Sequence, residues 1–282
     1  MSPEGGRWSA AGLDLHVSAW NTASPHRPVL VLHGYLEQGF AWDRVARHLN
    51  RPVYAPDQRG FGRSDHVAAS GFYHFWDYVA DAQAIADRLG PSIDVVGHSM
   101  GGTVASLFAG ARPEHVRRLV LIEGLGPPDF RSIALGRSRS FLNSWREPPS
   151  HPRMANLDEA VHRMRRRNAN IDPEFARELA ELSTQPTPDG GCIWTWDPKH
   201  RATSPNPFDA DLFATWLRAI TAPTLCIEGA DSPFARHVDM EARRAALPAS
   251  TRIVLPDSGH LAHHDQPELL AKEIERFLQE EP

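Results

Sequence analysis

Ser99 is the residue whose surroundings say most about chemistry. It is the centre of the pentapeptide Gly-His-Ser-Met-Gly at 97–101, which directly follows the apolar run Ile-Asp-Val-Val at 93–96. A serine between two glycines, at the passage from a strand to a helix, is predicted to occupy a sharp turn that lifts its hydroxyl clear of the main chain. The glycines let the flanking backbone fold past the serine without Cβ clashes. The pattern therefore predicts a nucleophilic serine at the N-terminus of a helix.

A serine hydroxyl is a weak nucleophile at neutral pH and needs a base within hydrogen-bond reach. His260 is the candidate base, because it lies in a short Gly-His loop after the apolar run at 251–255. His263 and His264 lie further into the next segment, where we expect surface or capping roles. His98 precedes the serine but faces the other way from the turn, so we expect it to pack or hydrogen-bond beneath the turn.

Negative charge that develops on an attacked carbonyl must be met by N–H donors. The apolar run at 28–32 ends in His-Gly-Tyr at 33–35, which is typical of a buried parallel strand that opens into a loop. The backbone amide of Met100 is predicted to be one donor of this oxyanion hole, and the amide of Tyr35 the other. The phenol of Tyr35 is expected to form a wall of the site.

Four stretches of the chain, in this order, resemble the α/β-hydrolase superfamily, and the resemblance covers nearly the whole chain. They are His-Gly-Tyr at 33–35, a glycine-punctuated turn at 57–65, the serine turn at 97–102, and Gly-His at 259–260 followed by Gln-Pro-Glu at 266–268. Within the superfamily, the chain is most similar to capped esterase-type and serine-hydrolase-like enzymes. The resemblance implies an α/β-hydrolase fold, with a mostly parallel eight-stranded sheet flanked by helices and a helical cap inserted after the sixth strand.

The apolar runs agree with such a sheet, because predicted strands and helices alternate along the chain. An antiparallel edge pair with a turn at Gly12 is predicted over 8–21. In parallel sheets of this kind, ligands bind outside the carboxyl ends of the strands, where Ser99, Tyr35 and His260 would converge. Further strands are predicted near 28–33, 52–56, 93–98, 117–123, 223–228 and 251–255, and helices over 40–49, 73–89, 99–111 and 266–279.

A change of pattern after residue 124 divides the chain into two predicted domains. Residues 1–124 and 216–282 are predicted to form the core, and residues 125–215 a helical cap that closes over the serine. In the cap, strand-like runs disappear, and helical stretches appear at 157–167 and 173–182. The aromatic side chains there indicate an apolar acyl or aryl pocket. The arginines of the cap are balanced by acids, so a solvated helix face is expected rather than an anion site. The tryptophans of this part of the chain are Trp145, Trp194 and Trp196, and Trp216 follows directly after it.

Two carboxylates compete for the third place of a Ser-His-acid triad. In most of the superfamily the acid follows the seventh strand, which here offers Asp231. Asp231 lies closer to the preceding glycine than is usual, and it is also placed to cap a helix that begins at Pro233. A minority of the superfamily, including haloalkane dehalogenases, takes the acid from the end of the sixth strand, which here offers Glu123. We favour Glu123, and Asp231 stays the alternative.

Composition limits the classes of function. The chain has 282 residues, 41% of them hydrophobic and 23% charged, which is typical of a globular protein. A formal net charge of −5 gives no reason to expect nucleic-acid binding. No signal segment and no apolar run near the ~18 residues of a membrane span are present, so no membrane partner is expected. Cys192 and Cys226 have no metal-type spacing and indicate reduced thiols in a cytoplasmic protein. No cofactor or metal is expected, because the fifteen histidines show no His-Glu-x-x-His spacing.

The expected activity is hydrolysis of a small-molecule carboxylic ester, or a related acyl substrate, through an acyl-enzyme on Ser99 with His260 as general base. Epoxide hydrolases and haloalkane dehalogenases share the architecture but need a carboxylate where Ser99 stands. An acyltransferase or perhydrolase, a lyase on the same Ser-His framework and a non-catalytic ligand receptor stay open as alternatives. The sequence predicts neither the acyl and alcohol groups of the substrate nor the oligomeric state.

Overall fold

Strands and helices alternate along the chain, as the apolar runs predict. The structure is a computed structural model that describes residues 3–234 and 239–279. The strands are β1 (Glu4–Ala10), β2 (Leu13–Trp20), β3 (Val29–Leu32), β4 (Val53–Pro56), β5 (Ile93–His98), β6 (Val116–Ile122), β7 (Thr184–Pro186), β8 (Cys192–Trp194), β9 (Thr224–Gly229) and β10 (Ser250–Leu255). The helices are α1 (Asp43–Ala46), α2 (Phe75–Leu89), α3 (Met100–Ala111), α4 (Ala134–Arg146), α5 (Leu157–Arg167), α6 (Pro173–Ser183), α7 (Ala210–Ala219), α8 (Met240–Ala245), α9 (Ala262–Asp265) and α10 (Pro267–Gln279). Among the residues described, none of these helices has the length and apolar composition that crossing a membrane would require.

Eight of the strands form one sheet, in the order β1-β2-β4-β3-β5-β6-β9-β10. β1 pairs antiparallel with β2, and β2 pairs antiparallel with β4. The other neighbouring pairs of this sheet run parallel. The predicted mostly parallel, eight-stranded sheet is therefore confirmed, and the predicted edge pair is formed by β1 and β2.

Helices cover both faces of the sheet, because its central strands are apolar on both sides. In β3, Val29 and Val31 pack into one hydrophobic cluster, while Leu30 and Leu32 pack into another. Successive side chains of a strand point to opposite faces, which produces this alternation. α2, α3 and α7 contribute to the cluster of Leu30, and α1 and α10 to the cluster of Val29. The loops that follow the carboxyl ends of the parallel strands are left to build the site.

The segment between β6 and β9 is mainly helical. The helix predicted over 157–167 is α5, and the helix predicted over 173–182 is α6. The short antiparallel pair of β7 and β8 lies where the sequence predicts no strand, because strands of three residues are too short to show a period. The predicted boundary after residue 215 falls inside α7, which packs against α3. The division into a core and a helical cap over 125–215 stays a prediction.

The helix predicted over 40–49 is shorter in the structure. A 3₁₀ turn spans Gly39–Trp42, and α1 follows as a single turn. The amide of His48 then donates to the carbonyl of Val45, three residues back rather than four. Bonds of this type tighten the chain and end a helix.

The start of α3 lies so close to the sheet that it requires glycine. A Cβ built on Gly101 would lie 2.1 Å from the carbonyl oxygen of Leu32 in β3. That oxygen is part of a strand buried between two helical layers, so it cannot move aside by itself. A Cβ on Gly136, in the exposed helix α4, would meet nothing within 4 Å.

We therefore expect Gly101→Ala to destabilise the protein by about 3 kcal/mol, because the methyl group overpacks a junction that has no space for it. Gly136→Ala is the matched control, and it should be neutral or stabilising by up to about 1 kcal/mol, as alanine is the better helix former. Urea unfolding followed by circular dichroism measures both variants. A Gly101→Ala protein as stable as the wild type would contradict this account of the junction.

Candidate active site

Ser99 lies in a strained turn between β5 and α3. Its φ is 51° and its ψ is −115°, a conformation that costs a residue with a Cβ about 1–3 kcal/mol. Two backbone hydrogen bonds hold the turn. The Ser99 amide donates to the carbonyl of Ile122 at 2.9 Å, and the Ser99 carbonyl accepts from the amide of Thr103 at 3.2 Å. The surrounding sheet and helix thus fix the position of the serine hydroxyl.

His260 and Glu123 continue from Ser99 in a line of contacts. The Nε2 atom of His260 lies 3.0 Å from Ser99 Oγ, and its Nδ1 atom lies 3.3 Å from Glu123 Oε2. With a proton on Nδ1, the ring donates to the carboxylate and leaves Nε2 to accept from the hydroxyl. The side chain of Glu123 is 1% exposed and that of His260 is 24% exposed, so the open end of the line is at the serine and histidine.

Two further donors fix the Glu123 carboxylate. The amide of Gly229 donates to Oε1 at 2.8 Å, and the hydroxyl of Ser232 donates to Oε2 at 2.6 Å. Burial works against ionisation of this carboxyl group. Hydrogen bonds from His260, Ser232 and Gly229 outweigh burial and lower the pKa of Glu123. The group is therefore held as a carboxylate that faces the imidazole.

Asp231, the alternative acid, lies apart from the histidine. It is exposed, and its backbone amide donates to the carbonyl of Ser258 at 2.9 Å. Across residues 3–234 and 239–279, no hydrogen bond or ion pair joins its carboxylate to His260. The next residue, Ser232, is buried and bonded to Glu123 instead. Of the two acids left open by the sequence, the structure brings Glu123 to the histidine.

The predicted oxyanion donors are the backbone amides of Tyr35 and Met100. Met100 is the first residue of α3, where helix amides have no partner within the helix. In the part of the chain that the structure describes, neither amide has a hydrogen-bond acceptor. The phenol of Tyr35 donates to the carbonyl of His200 at 2.7 Å, so this side chain is tied to the segment between β6 and β9.

A buried carboxylate, Glu37, connects the loops that carry the site. Its Oε2 atom accepts the Gly34 amide at 2.8 Å and lies 3.1 Å from Nδ1 of His98. The other ring nitrogen of His98 lies 2.8 Å from the carbonyl oxygen of His260. The Oε1 atom of Glu37 lies 3.0 Å from Nε2 of His263. Glu37 and His98 therefore connect the loops that carry Tyr35, Ser99 and His260. His98 forms hydrogen bonds beneath the serine turn, as the sequence predicts.

The expectation of a surface or capping role for His263 is wrong. Its side chain is fully buried, and its ring stacks on Trp42 with 5.0 Å between ring centres. Burial lowers the pKa of His263, against the opposing effect of the carboxylate of Glu37. Sequence reasoning missed Glu37 entirely, because a glutamate four residues after His33 in a loop carries no local signal of burial.

Among the described residues, one group of side chains has the spacing that could hold a metal ion. It consists of Glu37, His98 and His263, whose ligand atoms lie within 4.8 Å of one another. The atoms that face one another already form the hydrogen bonds described above. The prediction that the site uses no metal stays a prediction.

Comparison with known proteins identifies the family. The profile of the alpha/beta hydrolase fold family matches residues 27–267, so the chain belongs to this family. Lipase LipV of Mycobacterium tuberculosis is 36% identical over 169 residues, which span 52% of this chain and 62% of LipV. Serine hydrolase-like protein of Danio rerio is 26% identical over 280 residues, which span 94% of this chain and 85% of that protein. The solved structure of a thioesterase domain from the curacin biosynthetic pathway has a TM-score of 0.89 at 29% identity, covering 97% of this chain and 99% of that chain.

The resemblance to α/β hydrolases and serine-hydrolase-like proteins that the sequence indicates is thus confirmed, and the predicted fold with it. The family and these relatives place the chain among the hydrolases.

We expect Glu37→Gln to destabilise the protein by about 3 kcal/mol at neutral pH, because it removes the buried charge that faces His98 and His263. These two histidines hold the pKa of Glu37 well below its usual 4.5, against the opposing effect of burial. A lowered folded pKa stabilises the fold above the unfolded value, and this stability is lost as the pH falls toward the folded value. The difference between wild type and variant should therefore shrink below pH 4.5.

Urea titrations between pH 7 and pH 3 measure this difference. Glu181→Gln, on the exposed side of α6, is the control and should change stability by less than about 0.5 kcal/mol. A Glu37→Gln protein as stable as the control at pH 7 would show that the carboxylate does not hold the loops together.

Proposed function

We propose that this hydrolase cleaves carboxylic esters of small molecules through an acyl-enzyme on Ser99. The observation that carries the proposal is the line of contacts from Ser99 through His260 to Glu123, at 3.0 Å and 3.3 Å. A serine hydroxyl becomes an effective nucleophile only when a base can take its proton, and Nε2 of His260 is within that reach. Glu123 is the proposed acid of the triad.

The proposed reaction has two steps. In the first, Ser99 Oγ attacks the ester carbonyl while His260 takes the hydroxyl proton, and the imidazolium then gives this proton to the departing alcohol. In the second, water attacks the acyl-enzyme, His260 takes a proton from the water, and the carboxylic acid leaves as Ser99 regains its proton. Attack by an acceptor other than water would make the same intermediate an acyl-transfer step.

Glu123 supports both steps through the ring nitrogen that faces away from the serine. Its carboxylate fixes the tautomer of His260 and stabilises the imidazolium that forms during attack. Because Gly229 and Ser232 also bind this carboxylate, it cannot turn away from the ring without losing their hydrogen bonds. The amides of Tyr35 and Met100 are the proposed oxyanion donors, each worth about 3 kcal/mol of transition-state stabilisation.

We also propose that the segment 125–215 is a cap over this site. Two contacts support the proposal. The phenol of Tyr35 binds the carbonyl of His200 at 2.7 Å, and the guanidinium of Arg167 lies 3.4 Å from the carbonyl oxygen of Tyr35. Both contacts place the inserted segment against the loop that carries a proposed oxyanion donor.

A cytoplasmic location, expected from the cysteines, stays a prediction.

We expect Ser99→Ala to abolish hydrolysis of 4-nitrophenyl esters and labelling by a fluorophosphonate probe, since both reactions need the nucleophile. The variant should keep the wild-type circular dichroism spectrum, because the hydroxyl makes no contact that holds the turn. Hydrolysis that survives at a substantial fraction of the wild-type rate would refute the assignment of Ser99.

The two carboxylates give a matched pair of variants. Glu123→Gln removes the charge that faces the imidazole, and a comparable change in a serine protease lowers kcat by about 10⁴. Asp231→Asn removes an exposed charge two residues after Gly229 and should lower kcat less than about twofold. Steady-state kinetics on one 4-nitrophenyl ester compares them. If Asp231→Asn is the more damaging change, Glu123 is not the acid of the triad.

A further inference from the structure

A recess lies between the inserted segment and the core loops that follow Tyr35 and His260. Leu36 and Leu261 line it on the core side, and they directly follow Tyr35 and His260 in the chain. Met164 of α5, together with Leu179 of α6, lines it on the other side. The recess is thus next to both the proposed oxyanion loop and the loop of the proposed base.

Two side chains that line this recess have polar atoms without a hydrogen-bond partner among the described residues. Gln38 is only 4% exposed, and within the described residues its Nε2 atom has no hydrogen-bond acceptor. Both ring nitrogens of His264 are likewise buried without a hydrogen-bond partner in that part of the chain. Buried polar groups in folded proteins are nearly always paired, and leaving one unpaired is costly. Two such side chains facing one recess indicate that a polar ligand group completes their hydrogen bonds.

The kind of group follows from what these side chains offer. Burial lowers the pKa of His264 well below its usual value, so the ring is neutral and presents one N–H donor and one acceptor. The Nε2 atom of Gln38 is a donor only. A ligand group rich in acceptor oxygens would accept one hydrogen bond from Gln38 and one from the N–H of His264, and the second ring nitrogen of His264 would keep its lone pair unused.

The charged side chain of the recess that has no partner of opposite charge among the described residues is an arginine. Arg167, at the end of α5, lines it and donates to the carbonyl of Tyr35 at 3.4 Å. Throughout 3–234 and 239–279, no carboxylate pairs with this guanidinium. Glu37 also lines the recess, but its oxygens already face Gly34, His98 and His263. Arg163, one turn earlier in α5, differs because it pairs with Glu159 at 2.5 Å.

We propose that this recess binds a carboxylate carried by the ester substrate, with Arg167, Gln38 and His264 as its donors. The apolar side chains that line the recess suit the methylene chain that would connect the carboxylate to the ester. This inference rests on the proposed esterase function and narrows its substrates to esters with an anionic end. For Arg167 alone, it departs from the expectation that the arginines of this segment form only a solvated face.

A matched pair of esters tests the recess. 4-Nitrophenyl hydrogen adipate and 4-nitrophenyl hexanoate have acyl chains of equal length, which end in a carboxylate and a methyl group. The wild type should hydrolyse the adipate with a kcat/KM at least about tenfold higher, as expected for charge-assisted hydrogen bonds. Arg167→Gln should bring the ratio of the two kcat/KM values near one. Arg166→Gln, the exposed neighbour outside the recess, should leave the ratio as it is in the wild type.

A second pair moves the carboxylate to the alcohol side, with 4-carboxyphenyl hexanoate compared with phenyl hexanoate. A preference for the anionic ester in either pair, lost in Arg167→Gln and kept in Arg166→Gln, supports the inference and tells which half of the ester carries the carboxylate. Equal or better hydrolysis of the neutral ester in both pairs overturns it and leaves the esterase function standing.

Binding separates the two proposals further. Calorimetric titration of the Ser99→Ala variant with adipate monomethyl ester and with methyl hexanoate needs no turnover. Tighter binding of the adipate supports the recess even if the wild type hydrolyses no ester, which would be a failure of the proposed function alone. Equal binding within this pair, and also between 4-carboxyphenyl hexanoate and phenyl hexanoate, overturns the recess proposal whatever the activity.

Discussion

The strained turn at Ser99 is the constraint on which the rest of the site depends. A serine at φ 51° persists only because the surrounding backbone holds it, chiefly through the bond from its amide to the carbonyl of Ile122. Ile122 is the last residue of β6, and Glu123 follows it. The strand that stabilises the turn therefore also delivers the carboxylate that faces His260. The parallel pairing of β5 with β6 therefore positions both the serine turn and the carboxylate of Glu123.

The buried carboxylate of Glu37 extends this arrangement to the remaining loops. It binds the Gly34 amide next to the proposed oxyanion loop, and it lies against His98, which contacts the carbonyl of His260. A single charged group thus connects three loops that lie far apart in the chain. The inserted segment also contacts one of these loops, because Arg167 of α5 donates to the carbonyl of Tyr35.

The sequence predicts the parts of this site that depend on local pattern. Ser99 and His260 lie in glycine-marked turns after apolar strands, and both the strand and the turn can be read from a few residues. The acid could not be decided, because the approach of Glu123 to His260 joins positions 137 residues apart. Glu37 depends in the same way on contacts over 61 and 226 residues. Such contacts are set by packing of the whole sheet, which one sequence does not display.

The central claim is that an acyl group forms a covalent bond with Ser99 during turnover. The most direct test mixes the wild-type protein with excess 4-nitrophenyl ester, quenches with acid during the steady state and maps the peptides by mass spectrometry. We expect the mass of the acyl group on the peptide that contains Ser99, assigned to this residue by fragmentation, and we expect it to disappear once the ester is consumed. Turnover with the acyl group on another side chain, or on none while Ser99 remains unmodified, would contradict it.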